Sequence, residues 1–408
     1  MAILKGFHSG MSARVVAGGL ISDPFEVNVG VKQGCVHAPT IFDIYLAAVT
    51  LLARYDMDLG DGIHFRYRFD GSLFNLRRLK AITKTRSATI FEMQYADDDA
   101  VPSTSAEALQ RNLDILADIY GKAGLVVNTQ KTEVLYQPAN PEDPADEFIF
   151  NINNRELSNV DHFMYLGSIM NTSCSLDQEI QYRIRQATTA FGRLSDRVFR
   201  NRNLSTETKV AVYSSICLSV LLYGCEAWTI YRAHIRSLES FHIRSLQKIL
   251  GLTWADQIPH VTILQNTNCC SIESMVIKRQ LRWVGHVIRM PENRLPKQLF
   301  YGELSQGHRS VGGQKKRYKD HLNAVLKRCN IPAAELETKA SDRVGWRSSC
   351  YRAVQQFELE RTEAREEARQ RRHEHQLLGP IDDGVQCPSC GRMCASEFGL
   401  RSHRRFCN

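Results

Sequence analysis

Three consecutive aspartates, Asp97, Asp98 and Asp99, follow one residue after 88–95, a run with the residue types of a β-strand. No other feature narrows the folding options of this chain as much. Adjacent carboxylates on a tight turn repel one another unless a cation sits between them. A divalent ion held this way can stabilise the attacking and leaving oxygens of phosphoryl transfer. An acidic surface turn is the plain alternative, and the YADDD segment taken alone leaves both readings open.

Around this turn the pattern is mixed. Alternating runs at 13–16 and 25–31 flank Asp23-Pro24 and predict a β-hairpin turning there. Residues 40–55, after Pro39, place Ile41, Ile44, Tyr45, Ala48, Leu51 and Leu52 at helical spacing. A second helix is predicted from Thr104, with Glu107 completing a capping box and Leu109, Leu113, Leu116 and Tyr120 on one face. Gly121 or Gly124 ends it, and strands are predicted at 125–127 and 133–136. An acidic, proline-containing loop at 138–146 precedes a β-rich stretch, 148–169. The sequence then turns helical at 175–200, 205–223, 233–250 and 271–290. Residues 357–378 are rich in Glu, Arg and Gln, as in an exposed helix laced with ion pairs or a linker. The fold class is α+β.

A length of 408 residues allows two or three domains. Hydrophobic content of 43% and charged content of 24% exclude collagen-like, wholly disordered and multi-span membrane classes. The most apolar stretch, 216–223, is too short to cross a bilayer, and the first residues lack the apolar run of a signal peptide. An intracellular protein, nuclear or cytoplasmic, with no membrane partner is expected. The net charge of +8 is unevenly spread: residues 181–250 carry 11 Lys/Arg against 4 Asp/Glu, and residues 278–328 carry 13 against 3. A basic middle suits a polyanion, nucleic acid being the usual one, although solvated faces of amphipathic helices give the same count. Lys278, Arg282, His286 and Arg289 fall along one side of the 271–290 helix, and Lys278, Arg282 and Arg289 are candidate phosphate contacts.

Eight of the twelve cysteines are scattered, while Cys387, Cys390, Cys394 and Cys407 cluster. Cys387-x2-Cys390-x12-His403-x3-Cys407 has the spacing of a ββα zinc finger with cysteine in place of the last histidine. Leu400 stands where the finger's small core needs an apolar side chain, and Cys394 reads as core rather than ligand. Tetrahedral Zn²⁺ on these four ligands would supply the module's folding energy. The base-reading positions would be Ser396, Gly399 and Ser402, too short for bidentate contacts. Arg401, Arg404 and Arg405 can reach phosphate, so the finger would grip nucleic acid with little sequence choice.

The neighbourhood of the aspartates adds further motifs. Upstream lies VKQGCVHAPTIF, with the Gln33-Gly34 pair, whose glycine lets backbone approach a flat ligand closely. Downstream lies GLVVNTQKTE, with Lys131, then FMYLG at 163–167, and later CEAW at 225–228 and RWVGHVIRM at 282–290. In this order the series resembles the palm of a reverse transcriptase from non-LTR (LINE-type) retrotransposons, over roughly residues 10 to 170. The resemblance implies that Asp97 and Asp98 bind Mg²⁺, within a signature completed by Tyr95 and Ala96. It implies that Gln33 and Gly34 lie against the templating base and incoming nucleotide, and that Lys131 stands near the pyrophosphate leaving group. Phe163, Met164, Tyr165, Leu166 and Gly167 match the primer grip, and the basic helices from Ser175 onward fall where a thumb clasps duplex. The partners would be an RNA template and a DNA primer.

The sequence also departs from that family. The third aspartate expected on a strand upstream of the Gln-Gly segment has no counterpart, and neither do the fingers. His37 replaces an apolar residue, and Asp99 adds a carboxylate where a small or apolar residue is usual. The organisation expected is a partial palm at 1–170, a helical thumb at 171–255 and a basic helical region at 256–356. A charged helix or linker at 357–384 and a finger at 385–408 complete it. The function expected is that of a fragment of an RNA-directed DNA polymerase, inactive alone. The alternative is a non-catalytic nucleic-acid-binding protein, or a chain from a decayed element with no function.

Overall fold

The computed structural model describes residues 6, 9–28, 30, 31, 34–58, 60–137, 148–306, 315–377, 385–394, 396–404 and 407, with the backbone alone at 254 and 375–377. The chain opens on nested ribbons: β1 (Ser12–Ala13) pairs with β4 (Phe25–Glu26), and β2 (Val16–Ala17) with β3 (Leu20–Ile21). The inner turn is Gly18-Gly19, not the expected Asp23-Pro24. Both glycines have positive φ, 58° and 82°, which a two-residue hairpin turn demands.

Helix α1 (Ala38–Asp56) forms as predicted but buries a different face. Ala38, Leu46, Val49 and Ala53 point inward, whereas Ile44, Leu51 and Leu52 are exposed. The pair β5 (Ile63–Tyr67) and β6 (Arg86–Ile90) follows, then a second hairpin of β7 (Met93–Tyr95) and β8 (Asp98–Ala100). The predicted single strand over 88–95 is therefore two strands on either side of Phe91-Glu92. Helix α2 (Ala106–Lys122) starts one residue later than a Thr104 cap allows, because Ser105 Oγ accepts from Ala108 N at 3.2 Å. Residues 125–127 are not a strand. The Leu125 amide closes the helix end on the Tyr120 carbonyl at 2.8 Å, helped by Gly124 at φ +72°.

Short strands come next: β9 (Glu133–Val134), β10 (Asn151–Ile152), β11 (Arg155–Glu156) and β12 (Ser158–Asn159), then the hairpin β13 (His162–Tyr165) and β14 (Ser168–Asn171). From here the chain is helical: α3 (Asp177–Leu194), α4 (Thr206–Val212), α5 (Leu218–Leu221), α6 (Arg232–Leu250), α7 (His260–Asn266), α8 (Ile272–Arg289) and α9 (Leu295–Tyr301). A strand β15 (Gly302–Leu304) precedes α10 (Tyr318–Arg328), α11 (Leu336–Ser341) and the long α12 (Arg343–Leu377). The described chain ends with β16 (Val385–Gln386), β17 (Met393–Cys394) and α13 (Glu397–Arg404). The result is a mixture of helices and small sheets. In place of one antiparallel palm sheet, the described residues form two-stranded pairs and one three-stranded sheet.

Two cores meet on α8. Its Ile272 and Val276 join a core built from α3 to α7, with Tyr213, Leu221, Leu238 and Leu246 wholly or almost wholly buried. Its Ile277, Leu281, Val284 and Ile288 join a second core with α10, α11 and α12. The second core also contains Leu73, fully buried, and β15 pairs antiparallel with β5. Arg78 secures that junction by donating to the Tyr301 carbonyl at 3.2 Å. Residues 63–80 thus pack with a region more than 200 positions further along the chain. Gly285 makes the α8–α12 contact close: a Cβ there would run into Trp346 Nε1, whose indole donates to the Leu281 carbonyl at 2.9 Å.

Beyond that contact, α12 is clamped by charge. Arg361 donates to Glu239 at 2.7 Å, and Arg232 and Arg328 meet Glu273 at 2.8 and 2.5 Å. Burial alone would raise the Glu273 pKa, and these arginines more than offset it, leaving it lowered.

Candidate metal hairpin and nucleic-acid interface

The aspartates occupy the tip of the β7–β8 hairpin. Tyr95 faces Asp98 across the ladder, so Ala96 and Asp97 form a two-residue turn, with Ala96 at φ +52°. Asp97 and Asp98 are exposed, and neither has an ion-pair partner among the described residues. Two adjacent carboxylates without a counter-charge are the donor set that a hard divalent cation satisfies. Among the described residues no third His, Cys, Asp or Glu ligand gathers with them.

Asp99 turns the other way. Strand alternation sends it inward, where it accepts from Tyr120 Oη at 2.9 Å. Glu92 lies beside it, held to Thr50 Oγ1 at 3.3 Å, and Thr50 in turn accepts from Gln94 Nε2 at 3.4 Å. Burial, and after it the Asp99 charge, pushes the Glu92 carboxyl up to about 7; burial also raises Asp99. Glu92 Oε2 and Asp99 Oδ1 are buried with no donor from another residue, so the pair is satisfied when one proton bridges them. These bonds fasten the aspartate hairpin to α1 and α2. The residue that departs from the family pattern is an anchor of the hairpin.

The second hairpin is tied to the first. Its turn is Leu166-Gly167, at φ 47° and 78°, and Tyr165 Oη donates to the Met93 carbonyl at 3.0 Å. Burial, then the charges of Asp99 and Asp98, raise the Tyr165 hydroxyl pKa. Sequence reasoning missed what holds the other side. Tyr223 Oη donates to the Leu166 carbonyl at 3.0 Å, and Ile169 N donates to Glu179 Oε2 at 2.8 Å. Arg183 donates to the Gly167 carbonyl, stacks 4.6 Å from the Tyr223 ring centre, and pairs with buried Glu179 at 2.6 Å. The i,i+4 spacing of Glu179 and Arg183 was the available signal, but such pairs are usually solvated. A cavity of about 470 Å³ opens beside this turn, lined by Tyr165, Tyr223, Glu226 and Arg279 among others.

Other predicted residues are dispersed. Phe163 is half-buried and Met164 exposed, on opposite faces of β13. Gly34 is exposed at φ +86°, and Gln33 lies outside the described residues. Lys131 sits in an exposed turn after α2, its amide donating to the Asn128 carbonyl at 3.1 Å. Its amine has no ion pair with Asp97 or Asp98 among the described residues. On α8, Lys278 and Arg282 are exposed, whereas Arg289 donates to the Ala340 carbonyl at 2.6 Å.

At the C-terminus, β16 and β17 pair, and α13 packs on them. One ligand atom from each of Cys387, Cys390, His403 and Cys407 lies within 4.8 Å of the others. Leu400 is buried, as the spacing required. Backbone amides of Ser389 and Cys390 hold the Cys387 thiol down to about 6, favouring the thiolate that binds metal. Soft thiolates and one imidazole at this separation fit Zn²⁺. Arg401 and Arg404 are exposed on α13, and Arg405 lies outside the described residues.

Residues 7–170 match the family described as reverse transcriptase (RNA-dependent DNA polymerase). Over this span the chain is similar to reverse transcriptases. It is 25% identical over 271 residues to an uncharacterized transposon-derived protein of Caenorhabditis elegans, covering 64% of this chain and 96% of that protein. It is 24% identical over 260 residues to the RNA-directed DNA polymerase from mobile element jockey of Drosophila funebris, covering 62% of this chain. The chain spans about a quarter of that polymerase, 25% of its length. The reverse-transcriptase match ends at residue 170, within β14, so it contains the aspartate hairpin and all but the last residue of the second. No helix of the described residues is long and apolar enough to cross a membrane.

Proposed function

We propose that this chain serves a non-LTR retrotransposon as the metal-binding and primer-positioning part of its RNA-directed DNA polymerase, inside the cell. The observation that carries the reading is the Tyr165–Met93 bond, which fixes the 162–171 hairpin against the hairpin bearing Asp97 and Asp98. Asp97 and Asp98 would hold Mg²⁺, which when bound stabilises the charge that develops as a primer 3′ hydroxyl attacks an α-phosphate. Phe163 to Gly167 position the primer end, and Gln33, Gly34, Tyr95 and Ala96 border template and nucleotide. Lys131 would serve the leaving pyrophosphate. Residues 1–170 act as palm and 171–255 as thumb. Residues 256–356 extend the basic surface, 357–384 space it, and 385–408 form a zinc finger whose Arg401, Arg404 and Arg405 hold phosphates.

Primer extension on an RNA template with Mg²⁺ tests this reading, with Asp97→Ala/Asp98→Ala as control. The expected result is no extension by this chain alone and, with the third carboxylate supplied on a longer chain, extension that the double change abolishes, with primer–template binding kept. Extension surviving the double change would overturn it. So would equal binding by both proteins with no extension once the third metal-binding carboxylate is supplied on a longer chain. Zinc content has its own check: one Zn²⁺ per chain, lost in Cys390→Ser.

A further inference from the structure

Helices α8 and α12 lie side by side, antiparallel, and among the described residues their joint outer ridge carries cations and exposed aromatic rings together. Residues 274–291 and 343–357 contain seven Lys/Arg and no Asp or Glu. Lys278, Arg282, Arg343, Arg347 and Arg352 are exposed, and none has an ion-pair partner among the described residues. Several other solvated helix faces pair their cations with acids, as in Lys122–Asp118, Arg200–Asp196 and Arg371–Glu367, while Arg236 and Arg244 on α6 are also exposed without an ion pair among the described residues. A ridge of like charges without its own counter-charges is complementary to a polyanion.

Two exposed aromatic rings stand on the same two helices. Trp283 is 37% exposed, its ring 5.6 Å from that of His286. Tyr351 is 53% exposed, with Lys278 Nζ 5.8 Å from its ring centre. Trp228 and Trp346, in contrast, are buried as core residues are. Exposed aromatics cost solvation, and here they stand among unpaired cations on a surface held rigid by the Gly285–Trp346 contact. Rings that can take a base on the face, with guanidinium and ammonium groups between them for phosphates, make up a single-strand binding surface. Duplex keeps its bases stacked on one another and would use the cations alone.

We infer that the α8–α12 ridge binds single-stranded nucleic acid, with Trp283 and Tyr351 stacking on bases and Lys278, Arg282 and Arg347 holding the intervening phosphates. This goes beyond the palm reading and does not depend on polymerisation, because its readout is binding.

The experiment uses the full chain and a fluorescein-labelled oligothymidylate of about 20 nucleotides, with a duplex of equal length for comparison. Trp283→Leu/Tyr351→Leu is expected to weaken single-strand binding by at least about 10-fold while duplex affinity stays within about twofold. Trp283→Phe/Tyr351→Phe, which keeps the rings, is expected to restore it. Arg282→Gln/Arg347→Gln is expected to weaken both ligands and reduce the single-strand salt slope by about 1.4. Unchanged single-strand affinity in the leucine variant, with its helical circular dichroism intact, overturns the inference. Equal loss for duplex overturns the stacking role. Binding to phosphatidylserine vesicles but not to oligothymidylate assigns the ridge to a membrane surface instead.

Discussion

His242 has no room for a second proton. Its Nε2 donates to the Cys270 carbonyl at 3.2 Å, which leaves Nδ1 to accept from Tyr213 Oη at 2.9 Å. Burial pushes its pKa down to about 4, from an ordinary 6.5. Below about 6.5 the unfolded chain takes up a proton that the folded chain refuses, so stability falls as pH drops from there to about 4, by about 3 kcal/mol. Urea unfolding at pH values across that window should show the loss, and a Tyr213→Phe/His242→Phe chain should show less of it. His321, also lowered to about 4 by burial, keeps some acid sensitivity in the variant. The sequence could not separate His242 from His234, since both begin an HIRSL repeat. Their neighbours do: His234 meets the exposed carboxylate of Asp177 at 2.9 Å, and His242 meets neutral groups. The gathering of Cys387, Cys390, His403 and Cys407 was legible because it is carried by spacing. Asp99, Glu179 and Arg183 were not, because their roles depend on partners distant in sequence.

Elements were legible where one periodicity dominated. The helices at 233–250 and 271–290 appear within a residue or two of expectation, with Ser271 as cap. Helix α1 was found but faced wrongly, because it is apolar on two sides and periodicity alone cannot choose between them. The α8–α12 packing gives a sharp test. Gly285→Ala puts a methyl into the Trp346 indole and should cost more than the about 1–3 kcal/mol of ordinary overpacking. Adding Trp346→Leu to Gly285→Ala should recover part of that loss, so the two changes are non-additive in a double-mutant cycle measured by urea unfolding. Additive losses would mean that the helices touch elsewhere.

For the whole molecule, chain order is a poor guide to neighbours. Leu73 belongs by sequence to the reverse-transcriptase match, yet it is fully buried beside Ile277, Leu281 and Leu326. Leu73→Ala should therefore cost about 2–5 kcal/mol and should lower protease resistance in 277–357 as much as in 60–90. Cleavage confined to 60–90 would show that the second core stands without it. Propensity and periodicity have no access to such a contact, since pairing β5 with β15 involves strands separated by more than 200 residues. The charge distribution was legible at this scale, but its geometry was not. The arginines that looked equivalent in the sequence divide into clamps, such as Arg361 and Arg289, and free cations, such as Arg282.

Helix α12 has one more consequence. Arg365 still meets Glu239 at 3.8 Å, and from Glu366 to Glu374 every position is exposed, so beyond these two arginines the helix stands clear of the body. Residues 366–377 extend it by about 18 Å. In mechanical terms it is a boom with a fixed footing. Each residue inserted along it would advance its far end by about 1.5 Å and swing it through about 100°. A tip held at one radius searches a thin shell instead of a filled sphere, which raises the encounter rate only for targets lying at that reach.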